Sequence, residues 1–305
     1  MNTKVVRYID KIMKLTIILL LFPFLTIGQT NIFGKVINHK NKEAIAFVTV
    51  GLMKENIGTN ASEDGSFQLV STKIKLNDTL IFSSVGFATL KLPVDKFKTD
   101  NIVVELSEQQ TILNEVIVTN KSFWTSVTLN DFSKCGNSFI SSSGYQTQLA
   151  QHFQAPKDNS ILQDIKICRF SLPLIAIEKT IFRIRIYDID TLKKSPSSDL
   201  CDQIIEVKTR SKTISINLEK YKIRIPNKDF FVAVEWLKIP FNESKSKMKV
   251  NGKNVEAITY RPSIGWTDNL NTKMEAWMLD YKNIWRPMFT MNNKTSVSIS
   301  ATVKY

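Results

Sequence analysis

The sequence predicts an all-β protein made of two consecutive sandwiches, a small seven-stranded one followed by a larger, jelly-roll-like one. Three observations carry this expectation. After about residue 30, apolar residues alternate with polar ones in short runs, the period of a half-buried strand. Turn formers punctuate the runs at short intervals, and almost no stretch keeps a helical period over a useful length. At 305 residues the chain is long enough for two domains, each burying its own core.

Residues 1–28 read as a secretory signal peptide. Lys4, Arg7, Lys11 and Lys14 stand against one acid, Asp10, and lead into the apolar run from Leu15 to Ile27. A basic region followed by such a run is what the export machinery recognises. The run falls short of the roughly 20 residues that span a bilayer, and Pro23 interrupts it. Cleavage is expected near Gly28-Gln29, and with no cysteine there a lipid anchor is not expected.

Loss of four bases and one acid would lower the formal charge from +13 to +10. Lys and Arg are dispersed through strands and turns, so the charge reads first as solubility. The three cysteines, Cys135, Cys168 and Cys201, allow one disulfide and leave at least one thiol. Cys168 lies in an apolar strand pattern and reads as a small buried hydrophobe.

The first domain is expected over residues 31–107. Its strand runs include Ala44–Val50, Phe67–Val70, Asp78–Val85, Phe87–Leu92 and Asn101–Leu106, with a tight turn at Glu63-Asp64-Gly65-Ser66. Glycine suits that turn because it tolerates a positive φ. A calcium reading of the turn fails for want of repeated oxygen ligands.

The motifs Phe33-Gly34-Lys35-Val36, Ala44–Val50, Ile57-Gly58-Thr59-Asn60, Glu63–Phe67, Asp78–Ser83 and Val85-Gly86-Phe87 resemble the carboxypeptidase-regulatory-like family, in this order and spacing. The resemblance implies a small transthyretin-like sandwich, generally non-catalytic, common in exported Gram-negative proteins. Leu113-Asn114-Glu115-Val116-Ile117-Val118 is similar to the segment that follows such domains in TonB-dependent outer-membrane receptors. Only 187 residues follow Val118, too few for a receptor's plug and barrel.

Residues 108–160, rich in Ser, Asn, Gln and Gly from about residue 119, read as a linker with edge segments. Residues 161–305 read as the second sandwich. Phe182, Ile184 and Ile186 alternate with Arg183 and Arg185, as in a strand buried on one face. Phe230–Leu237 is apolar on both faces until Glu235 and should lie centrally in its sheet. Val297, Ile299, Ala301 and Val303 share one side of a closing strand.

No catalytic or metal-binding motif stands out, and no cofactor is expected. His39 and His152 lack metal-ligand spacing and read as surface residues. The pairs Asp188 with Asp190 and Glu235 with Asp280 are the types a glycosidase needs, but read as solvated acids. Aromatic residues are the better lead. Trp266, Trp277 and Trp285 fall within 20 residues, with Tyr260 nearby and Asp268 as a hydrogen-bonding neighbour. Such rings stack on sugar faces, so these five are the expected ligand-binding residues.

The expected function is that of a non-catalytic exported envelope protein, periplasmic or associated with the outer membrane or cell surface. It would bind or scaffold a glycan or an outer-membrane protein, and no nucleic acid. Two alternatives stand beside it. One is a small outer-membrane β-barrel with an N-terminal adaptor, suggested by alternation up to the aromatic Tyr305. The other is an accessory protein of a glycan hydrolase or peptidase system.

Overall fold

The computed structural model describes residues 30–97, 102–109, 124–136, 138–171, 177–250, 252–267, 276–288 and 296–305, apart from the side chains of residues 248 and 250. The signal-peptide expectation for 1–28 lies outside them.

The first domain has seven strands: β1 (Thr30–Asn38), β2 (Thr49–Leu52), β3 (Gly58–Asn60), β4 (Ser66–Ser71), β5 (Thr79–Ser83), β6 (Leu90–Pro93) and β7 (Ile102–Leu106). They form two sheets, in the orders β4-β1-β7 and β3-β2-β5-β6. Alternation in β1 sends Ile32 and Val36 inward to meet Val50, Leu52, Leu80 and Val104. Phe67 meets Phe82 edge-on at 5.5 Å, and Phe82 stacks on Phe97 at 6.1 Å. Gly65 turns at φ +80°, and the Asp64 carboxylate accepts hydrogen bonds from the hydroxyls of Ser62 and Ser66 and from the Ser66 amide. This carboxylate caps a turn.

Ala44–Val48, expected as strand, lies outside the regular strands. Phe47 takes a left-handed φ of 56°, unusual for a bulky residue. The ring leaves the first core and joins a cluster with Ile181, Leu237 and Ile239 of the second domain.

The second domain contains β8 (Ser126–Leu129), β9 (Phe139–Ser142), β10 (Gln146–Gln154), β11 (Ser160–Cys168), β12 (Thr180–Ile189), β13 (Pro196–Asp199), β14 (Ile205–Thr209) and β15 (Thr213–Asn217). It continues with β16 (Arg224–Ile225), β17 (Asp229–Trp236), β18 (Glu243–Val250), β19 (Lys253–Gly265), β20 (Ala276–Asp280), β21 (Trp285–Pro287) and β22 (Ile299–Lys304). A seven-stranded sheet runs β13-β12-β17-β10-β20-β21, with β14 also on β12. A five-stranded sheet runs β15-β11-β22-β8, with β16 also on β11. Leu149, Phe182, Phe230 and Val232 from the first sheet share a core with Leu162, Ile165, Ile299 and Val303 from the second. The protein is therefore an all-β pair of sandwiches. A long hairpin, β18–β19, pairs with β9 near its base.

Three expectations change. Residues 108–160 are no mere linker, because β8, β9 and β10 lie within them and β10 runs between β17 and β20. Its glutamines looked loop-like, but they are buried and bonded. Gln148 Oε1 accepts from the Tyr187 hydroxyl at 2.9 Å, and Gln151 Oε1 from the Val297 amide at 3.3 Å. Second, β12 is buried on both faces, with Arg183 only 1% and Arg185 8% exposed. Third, the closing strand does not face lipid. β22 lies between β11 and β8, and Ile299, Ala301 and Val303 point into the sandwich core. Among the described residues the sheets are open paths stacked as sandwiches, without the closed ring of strands that a barrel needs.

Cys135 and Cys168 form a disulfide with Cα atoms 5.7 Å apart, so Cys168 is not simply a buried hydrophobe. Cys201 is a free, buried thiol.

Candidate functional site

The two sandwiches pack on each other through the face of the seven-stranded sheet that is turned away from its own core. Alternation places Arg183, Arg185 and Tyr187 of β12, Ala233 and Glu235 of β17, and Gln148 and Ala150 of β10 on that face. Arg183 Nη2 donates to the Ala46 carbonyl at 2.8 Å, and its guanidinium lies 5.4 Å from the centre of the Phe47 ring. Burial lowers the Arg183 pKa, yet a guanidinium stays charged, with Glu235 and Glu206 as the nearest compensating acids. Arg185 forms a two-pronged pair with Asp199, Nε to Oδ1 at 2.8 Å and Nη2 to Oδ2 at 2.6 Å.

Just beyond β17, Lys238 stitches the domains together. Its amide donates to Asn60 Oδ1 at 2.7 Å and its ammonium to the Gly58 carbonyl at 2.6 Å. The ammonium also lies 5.8 and 5.7 Å from the ring centres of Tyr260 and Tyr281. Burial lowers its pKa. The Tyr281 ring rests on the bare backbone of Gly51 and Gly58, where a Cβ would collide with it. Its amide donates to Asn56 Oδ1 at 2.9 Å.

Beside this seam opens a groove of about 880 Å³, lined from both domains. Phe33 and Gln68 border it on the first domain, Lys208 and Phe241 on the second. Phe33 and Phe241 are 43% and 44% exposed, large apolar surfaces left uncovered at one concavity. Phe241 is held there by its neighbour Asn242. That fully buried amide accepts from Thr180 Oγ1 and the Ile181 amide and donates to the carbonyls of Ile181 and Leu237. The Lys208 ammonium lies 5.8 Å from the Phe241 ring centre.

The expected ligand-binding residues do not converge on one surface. Trp266 is 9% exposed and belongs to the sandwich core. Tyr260 is buried at the seam beside Lys238. Trp277 and Trp285 do come together, half-buried on adjacent strands, against Ala150, Tyr187 and Phe231. Trp285 meets Tyr187 edge-on at 5.5 Å. Asp268 lies outside the described residues.

The acid pairs also resolve. Asp190 caps the turn after β12 by accepting from the amides of Leu192 and Lys193. Glu235 and Asp280 line one cavity, but its volume is about 30 Å³, enough for a single water and far too small for a sugar. Glu235 Oε2 has no hydrogen-bond partner among the described residues, which suits a buried water there.

His152 departs from its surface reading. Only 15% exposed, it pairs through Nε2 with Asp229 Oδ1 at 2.9 Å and packs on Phe231. His39 fits its reading, exposed and paired with Glu105 at 2.6 Å. Among the described residues no His, Cys, Asp and Glu cluster is arranged to hold a metal.

The groove had no signal in the sequence, since its walls come from positions some 200 residues apart that meet only through the seam.

Residues 32–118 match the model of the CarboxypepD_reg-like domain family. The first sandwich is a domain of this family. No curated protein matches the sequence. Two solved structures align weakly, both at 11% identity and both over 90% of this chain. One is a clostridial cysteine protease, Cwp84, after propeptide cleavage, with a TM-score of 0.37 over 70% of that chain. The other is the cysteine protease and lectin-like domains of Cwp84, a surface-layer-associated protein of Clostridium difficile, with a TM-score of 0.34 over 58% of that chain. Nothing about this chain follows from likeness at that level.

Proposed function

We propose that the protein is a non-catalytic, exported binding or scaffolding module of the cell envelope, and that its ligand seats in the groove between the two sandwiches. One observation carries the binding reading: the domains are joined by part-buried hydrogen bonds, and the join leaves a groove to which each domain contributes one exposed phenylalanine. Small ligand sites favour such domain junctions. Export is supported by the basic and then apolar opening of the chain. An envelope protein or a glycan is the partner this reading admits, and an accessory role beside a glycan hydrolase or peptidase would use the same groove.

A second reading rests on Trp277 and Trp285, neighbours on one sheet face and packed against the cluster that includes Tyr187. Paired half-exposed indoles suit the apolar face of a sugar.

One set of variants separates these readings. Phe33→Ala and Phe241→Ala should abolish capture of the ligand if it uses the groove. Trp277→Ala and Trp285→Ala should abolish signal on a glycan array if a sugar uses the indole face. Cell fractionation with N-terminal sequencing of the mature protein tests export, and a full-length cytoplasmic chain would overturn it.

A further inference from the structure

One border of the groove is formed by β1 and β4 through Phe33, Gly34, Ser66, Phe67 and Gln68, and β4 continues past it to Val70 as an open strand edge. β4 ends its sheet, with β1 as its one partner. The Val36 amide donates to the Gly65 carbonyl, which fixes the phase of the β1–β4 ladder. In the antiparallel register, Gly34 and Phe67, and Ile32 and Leu69, exchange hydrogen bonds, whereas Lys35–Ser66, Phe33–Gln68 and Asn31–Val70 do not. Ser66, Gln68 and Val70 therefore aim their N–H and C=O groups away from β1. Ser66 is satisfied within its own turn, by the Ser62 amide and the Asp64 carboxylate. The main-chain groups of Gln68 and Val70 have no partner among the described residues.

The neighbouring edge is treated differently. β3 ends the other sheet, and Lys238 from the second domain occupies it by bonding the Gly58 carbonyl. Docking of the second domain thus covers the β3 edge and leaves the β4 edge bare beside the groove. Unpaired donors and acceptors two residues apart repeat at roughly 7 Å, the repeat of a pairing strand. Phe33 and Gln68, directly opposite each other on β1 and β4, line the groove from the first domain, and Phe241 lines it from the second. Two cations, Lys208 and Lys238, line the groove against one acid, Glu63.

We propose that the groove takes an extended peptide segment of a partner protein, which adds as a strand to the free edge of β4 at Gln68 and Val70. Alternate side chains of that segment fill the space between Phe33 and Phe241, so apolar residues are favoured there. An acidic residue facing Lys208 completes the recognition. This deepens the binding-module reading and rests on it.

The test uses the full mature chain and a displayed random-peptide library. The expected binders carry alternating apolar residues and an acid. Binding should slow amide exchange at Gln68 and Val70. Methylating alternate backbone nitrogens of the peptide should weaken binding by roughly tenfold or more, since it removes the ladder hydrogen bonds. Gln68→Pro should do the same from the protein side. Proline fits there because that N–H faces away from β1. The methylated peptide serves alone if that variant misfolds. Lys208→Glu should shift selection away from acidic peptides. If binders fail with Phe241→Ala but tolerate both backbone changes, the groove is a binding site and strand addition is wrong. If no peptide is selected, or none responds to any of these changes, the proposal falls. A glycan captured by the same protein would then leave the broader binding reading standing.

Discussion

Arg183, in the second sandwich, donates to the carbonyl oxygen of Ala46, in the first, at 2.8 Å. The bond crosses 137 residues of sequence and lies under the Phe47 ring. Removing the guanidinium leaves that carbonyl unmet and strips Glu235 of a neighbouring charge. Arg183→Ala should cost about 1–3 kcal/mol in urea unfolding, the penalty of a buried group left unmet. Limited proteolysis should then release the two domains faster than in the parent protein.

Gly58 carries the Tyr281 ring on its bare backbone. An added Cβ would meet that ring and approach the Val50 carbonyl oxygen to 2.5 Å. Gly58→Ala should lower stability by about 1–3 kcal/mol, the usual range for overpacking. Thermal unfolding measures this, and weaker ligand capture should accompany it because the same seam shapes the groove.

Cys135 and Cys168 are 33 residues apart in sequence. Closing a loop of that length stabilises by roughly 3–4 kcal/mol in the chain-entropy model. Unfolding free energies from urea titrations with and without reductant should differ by that amount. Denatured, unreduced protein should titrate one thiol, Cys201, which is buried in the folded state.

The tryptophans should divide by role. Trp266→Ala opens a hole in the sandwich core and should cost about 3–5 kcal/mol. Trp277→Ala and Trp285→Ala remove half-buried rings and should cost less, with any glycan signal lost in these two first.

Asp64 supplies a pH signature. Hydrogen bonds from Ser66 and Ser62 hold its carboxyl well below the usual aspartate range. As pH falls through the ordinary range near 3.8, the unfolded chain takes up a proton that the folded chain refuses. The contribution of Asp64 is therefore present above that range and is lost as pH falls toward its depressed folded value. Carbon-detected titration should find Asp64 still ionised where ordinary aspartates are half protonated. Asp64→Ala should flatten the acid side of the stability profile.

Much of the fold was legible because period and burial agreed. β17 was expected at the centre of its sheet from apolar residues on both faces, and it lies between β12 and β10. The seven strands of the first domain follow its turn residues. Errors arose where polar side chains are buried. Gln148 and Gln151 made β10 look like a linker, and Arg183 and Arg185 made one face of β12 look wet. Each is satisfied by a partner far away in sequence, and a local pattern carries no trace of that partner. Phe47 misled for another reason, since a β-type run gave no hint of a left-handed turn. The candidate site was least legible. The tryptophans cluster in sequence but divide between a core and a face, while Phe33 and Phe241 meet only after the domains dock.

The place of β22 has a consequence for synthesis. That strand fills the gap between β11 and β8, and its hydroxyl contact from Thr302 to Thr128 spans 174 residues. Until residues 299–304 have left the ribosome, β8 has no neighbour to pair with and half of the larger sandwich stays open. Such distant pairing makes for slow folding, so the first domain should form early and the second only after residues 299–304 have emerged.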